Sequence, residues 1–121
     1  MPRASQLLAV GLTFPQTRAI VGASDTGVTA TGTTLATAYN VVAPITICTT
    51  VAASSGVVLP VSNTPGDSFV VFNGGANALT VYAPSGGKVN ALAAGVGYSV
   101  PVSNLARFTC IDPAGLNFAT G

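Results

Sequence analysis

The sequence predicts an all-β domain, an antiparallel β-sandwich or small barrel, jelly-roll-like in proportion, with an extended N-terminal arm. Seven or eight runs of four to six residues are rich in Val, Ile, Thr, Phe and Tyr, and each is bounded by Gly, Pro, Asn or Asp. No run sustains a helical period long enough to cover a core, and 121 residues are enough for one domain and too few for two. Short strands with frequent turns and no covering helix leave packing of sheet on sheet, or closure of one sheet, as the ways to bury an apolar face.

Residues 1–22 read as the arm. Ala4 to Val10 suits a short helix that Gly11 and Pro15 end, and Leu7, Leu8, Val10, Leu12 and Phe14 lie between Arg3 and Arg18 without strict alternation. Those seven side chains, Arg3, Leu7, Leu8, Val10, Leu12, Phe14 and Arg18, are the candidate interface residues, because a free tail needs fewer apolar groups. Residues 23–32, small and punctuated by glycine, read as a loop or linker, and residues 33–121 as the β domain.

Within that domain the stretch 33–42 alternates imperfectly, and Ile45 to Thr50 reads as a β-branched strand with Ile45 and Ile47 inward and Pro44 just before it. Gly56 to Pro60 is a short strand, and Pro65-Gly66 suits the centre of a type II turn. Ser68 to Asn73, bulky on both faces, is the expected central strand. The four-residue connection after it predicts a hairpin with Ala78 to Ala83. Lys88 to Asn90 is an expected edge strand. Tyr98 to Val102 is placed at an edge or bulge by Pro101, Ala106 to Ile111 puts Ala106, Phe108 and Cys110 on one face, and Gly115 to Ala119 is the last strand.

Composition narrows function. The chain has no His, Glu or Trp, and its charges are Arg3, Arg18, Lys88 and Arg107 against Asp25, Asp67 and Asp112. A histidine acid, base or metal ligand and a Ser-His-Asp relay are excluded, and three scattered aspartates are a thin stock for carboxylate chemistry. No catalytic residue, cofactor site or metal site is expected, and each aspartate reads as a turn residue bonding its own backbone. A net charge of +1 without a basic run gives little attraction to nucleic acid or to a membrane surface, so neither is an expected partner. Gly95-Val96-Gly97 lacks the third glycine and lysine of a phosphate loop. Cys48 and Cys110 sit in apolar runs and read as buried free thiols, a disulfide requiring adjacent strands in an oxidising setting.

Charged residues make up only 6% of the chain, whereas 15 Thr, 9 Ser, 7 Asn, 14 Gly and 19 Ala supply small, mostly neutral side chains. Soluble domains carry about a quarter charged residues, so this surface suits close packing within an assembly better than a free monomer.

Val57-Val58-Leu59-Pro60, then Thr64-Pro65-Gly66-Asp67, Phe69-Val70-Val71-Phe72-Asn73, Leu79-Thr80-Val81-Tyr82-Ala83-Pro84 and Val89-Asn90 together resemble a pattern of small tailed-phage and prophage virion structural proteins. The likeness covers about residues 33–118, with Leu116-Asn117-Phe118 where such proteins normally have a tryptophan strand. The resemblance implies a virion component without catalytic residues. Small size and a free arm favour a capsid decoration, or cement, protein of the head surface, assembled in the host cytoplasm as a homotrimer bound to the major capsid protein. The alternatives are a head-fibre base, a tail-associated adhesion module, or a carbohydrate-binding β-sandwich.

Overall fold

The computed structural model describes residues 24–61 and 65–120. The predicted arm, including all seven candidate interface residues, lies outside them. The described chain is all-β. Nine strands follow in order: β1 (Ser24–Thr29), β2 (Tyr39–Asn40), β3 (Ile45–Thr50), β4 (Gly56–Val58), β5 (Ser68–Asn73), β6 (Leu79–Tyr82), β7 (Tyr98–Val100), β8 (Leu105–Cys110) and β9 (Phe118–Thr120). They form two mixed sheets that do not close into a barrel, one ordered β1-β3-β5-β8-β9 and the other β2-β4-β6-β7.

The expectation of antiparallel pairing is corrected for the first half of the chain. Successive strands β1 to β6 alternate between the sheets, so the chain winds three times, laying each strand parallel to its counterpart in the previous wind. Only β7, β8 and β9 pair antiparallel, with β6, β5 and β8 respectively. The predicted hairpin of 68–83 is therefore absent: β5 and β6 belong to different sheets, and their connection is a corner.

Asn73 makes that corner. Its side-chain amide donates to the carbonyl oxygens of Asn77 at 2.8 Å and of Val100 at 2.9 Å, while its Oδ1 accepts the Gly75 N–H at 3.0 Å. Gly74 N–H donates to Cys48 O at 2.8 Å, and Asn77 Nδ2 donates to Val51 O at 2.9 Å, tying this corner to the one between β3 and β4. A Cβ on Gly75 would stand 2.6 Å from Val51, so stacked corners approach this closely only because that position has no side chain.

Both sheets feed one core. Val28, Cys48, Val71, Phe108, Cys110 and Phe118 from the larger sheet pack with Val57, Leu79, Val81 and Val100 from the smaller. As expected, β5 is the central strand of its sheet, β7 is an edge strand ending before Pro101, and β8 turns Phe108 and Cys110 inward. Gly66 has φ +96°, as the third position of a type II turn requires.

Four local expectations differ from what is observed. Part of the predicted loop 23–32 is strand β1, irregular in register where Gly27 has φ +70°. Of 33–42 only Tyr39–Asn40 is strand; a turn closed by Thr37 N–H donating to Thr34 O precedes it. Lys88 to Asn90 supplies only an isolated bridge, Val89 to Phe118. Finally, β3 buries Thr46 and Cys48, whereas Ile45 and Ile47 are half-buried on the opposite side. Parallel pairing fixes that phase, since Ile45 and Ile47 align with Val70 and Phe72 while Val71 and Asn73 of β5 point into the core.

Candidate interaction surface

The phase of β3 creates the feature of most functional interest. On the outer side of the larger sheet, register sets Ile45 beside Val70 and Val70 beside Arg107; the next row is Ile47, Phe72 and Leu105. Residues alternate between the faces of a strand, so these six form a lattice of three strands by two rows. Five are apolar. Leu105 is 61% exposed and the other four are half-buried. Sequence reasoning missed this surface because it assigned Ile45 and Ile47 to the core; the pairing partner of β3 is what decides the matter.

Of the other residues singled out by the sequence, Asp112 organises a turn as expected, Oδ1 accepting the N–H groups of Leu116 at 3.0 Å and Asn117 at 3.2 Å, and Oδ2 accepting Asn117 Nδ2 at 2.8 Å. Asp67 lies at the turn before β5, its carbonyl oxygen accepting Cys110 N–H at 2.8 Å. Asp25 departs from its predicted role: it lies in strand β1, and Oδ2 accepts the Tyr39 hydroxyl at 2.7 Å, joining the two sheets at the start of the wind. Beside it in register is Thr46, fully buried, whose Oγ1 has no hydrogen-bond partner among the described residues. Among the described residues no three His, Cys, Asp or Glu side chains come together in a way that could hold a metal.

Both cysteines are free and buried. They flank β5 without touching: Cys48 pairs with Asn73 at one end of that strand, whereas Cys110 bonds Asp67 just before the other. Two strand spacings across and six residues along put their Cα atoms about 22 Å apart, far beyond the roughly 7 Å a disulfide spans. Burial pushes the Cys48 thiol up to about 11, assisted by the charge of Asp25. The Tyr39 hydroxyl is raised as well, first by its hydrogen bond to Asp25 and then by burial. A thiol held neutral by the fold binds its proton more tightly in the native than in the unfolded state. Cys48 therefore favours the native state fully below the ordinary thiol range, and that contribution is lost as pH rises from about 9 towards 11. Urea unfolding across this window is expected to show a falling midpoint, less steep in Cys48→Ala; parallel pH profiles for the two proteins would reject the assignment.

A cleft of about 470 Å³ is lined by Thr33, Thr34, Leu35, Ala36, Tyr82, Ser85 and Gly95. Its hydroxyl groups could meet a sugar, but the Tyr82 ring is buried and its hydroxyl already donates to Thr33 O at 3.2 Å, which leaves no exposed aromatic face for stacking. No family model, curated protein or solved structure matches the chain.

Proposed function

We propose that this chain is a non-enzymatic virion structural protein, a capsid decoration protein that binds the major capsid protein shell and neighbouring copies and so cements the head. The observation that carries the reading is the apolar lattice on the outer side of the larger sheet, in a chain with only seven charged residues. Such a surface is poorly suited to an isolated monomer and well suited to repeated contact in an assembly. The resemblance of residues 33–118 to phage structural proteins supplies the setting: host cytoplasm during assembly, then the capsid surface. The wound, sandwich-like pair of sheets is the rigid body, the arm with Arg3, Leu7, Leu8, Val10, Leu12, Phe14 and Arg18 is the anchor, and a homotrimer is the unit that caps a junction between capsomers.

Localisation in a particle reconstruction tests this directly. Copies spread over capsomer junctions are expected, whereas density confined to a vertex, a tail or a projecting fibre would favour the head-fibre or adhesion reading. Deleting residues 1–20 is expected to lower occupancy of purified heads at least tenfold, because the arm's buried apolar area acts at many equivalent sites. Normal occupancy after the deletion would remove the arm from the anchoring role.

A further inference from the structure

We infer that the outer lattice of the larger sheet, Ile45, Ile47, Val70, Phe72 and Leu105, is the receptor for the apolar arm segment, residues 7–14, of a neighbouring copy. The inference rests on the assembly role proposed above and names the surface and its occupant.

Size is the first argument. Three strands about 4.8 Å apart and two rows about 6.8 Å apart give a projected area of about 200 Å². A stable interface between globular bodies takes roughly 800 Å² from each partner, so this lattice is too small to hold a second copy by itself. It matches a single short segment laid across the strands.

Composition supplies the matching segment. Residues 7–14 contain four large aliphatic side chains and a phenylalanine with no charge among them, and the only charged member of the lattice, Arg107, lies at its margin. Neither the described core nor the corners contain another stretch left over for this surface.

Reach argues for a neighbouring copy. Ser24 pairs with Ile45, and β1 runs parallel to β3, so the described chain begins at the Ile45 end of the sheet, opposite the Ile47, Phe72 and Leu105 row. The connection carrying exposed Val42 enters β3 at that same end. Nine residues, 15–23, separate the segment from Ser24 and can span up to about 30 Å, enough to arrive at an adjacent subunit. Such a contact joins two different surfaces, and a heterologous contact of this kind closes into a ring when the rotation permits, as a trimer does.

The test uses the full chain, labelled with ¹⁵N or unlabelled, with Phe14→p-benzoylphenylalanine in both. The two preparations are unfolded together in urea, refolded as one mixture, irradiated and digested. Cross-links from position 14 to the peptides holding Ile47, Phe72 or Leu105 are expected, about half of them joining a labelled to an unlabelled chain. Leu105→Asp, at an exposed position, is expected to keep the native circular dichroism and lower the mixed-isotope product at least tenfold. Products confined to one isotope, links to other surfaces, no product, or a yield unchanged by Leu105→Asp would each overturn the inference. Heads decorated normally beside any of these results would leave the virion reading standing, whereas mixed-isotope links in a protein that does not bind heads would sink that reading and keep the arm exchange.

Discussion

Asn73→Asp is expected to destabilise the protein by about 4 kcal/mol or more at neutral pH. Asn73 is fully buried, and its amide supplies the only side-chain donor among the described residues to the Val100 carbonyl oxygen, a bond that crosses from the larger sheet to the edge strand of the smaller. Aspartate keeps the shape and the bond accepted from Gly75 N–H, yet it turns an anionic oxygen toward the carbonyl oxygens of Asn77 and Val100. Burial and those two dipoles favour the protonated acid, so the introduced carboxyl has a higher pKa folded than unfolded. A group raised in this way stabilises fully below its unfolded pKa, near 4, and loses that contribution as pH rises through its folded value. The deficit relative to the parent chain is thus expected to shrink on acidification towards pH 4, where one acid hydrogen can again donate to a carbonyl. Urea midpoints measured from pH 4 to 8 check this, and a pH-independent difference would show that the corner tolerates an ionised oxygen.

The same residue shows what was legible in the sequence. Strand positions were, because β-branched and aromatic runs bounded by Gly, Pro and Asn are local signals: Ile45–Thr50 and Ser68–Asn73 occupy the predicted spans, and β4, β6, β7, β8 and β9 fall within a few residues of theirs. Strand partners were not. A four-residue link between two apolar runs reads as a hairpin, but the Asn73 side chain and the Gly74 bond to Cys48 O turn it into a corner between sheets. That choice depends on residues more than twenty positions away, such as Val51 and Val100, which no local pattern encodes. The inward phase of β3 failed for the same reason. Its larger Ile side chains suit burial as well as its Thr and Cys do, and only the parallel register with β5 places Thr46 inside. The candidate surface was hidden with it.

Phe108→Ala is expected to cost about 3–5 kcal/mol, lowering the urea midpoint by about 2 M. Phe108 is fully buried on β8, pairs in register with Phe69, and meets Tyr98 of the other sheet edge to face at 5.7 Å. Truncation would open a cavity between the sheets, where stacked corners and paired strands on several sides restrict collapse. Leu105 lies on the same strand, three residues earlier and on the opposite face, and its side chain already meets solvent. Leu105→Asp should therefore change stability by no more than about 0.5 kcal/mol. The contrast ties strand geometry to function: one face of β8 holds the sheets together, while the other is free to carry an intermolecular contact. Equal losses from the two variants would mean that the outer lattice contributes to the fold of the single chain, and apolar burial there would no longer argue for a partner. A large loss from Phe108→Ala alone leaves Ile47, Phe72 and Leu105 with more apolar surface than the monomer uses, which is the condition any assembly role for this sheet must meet.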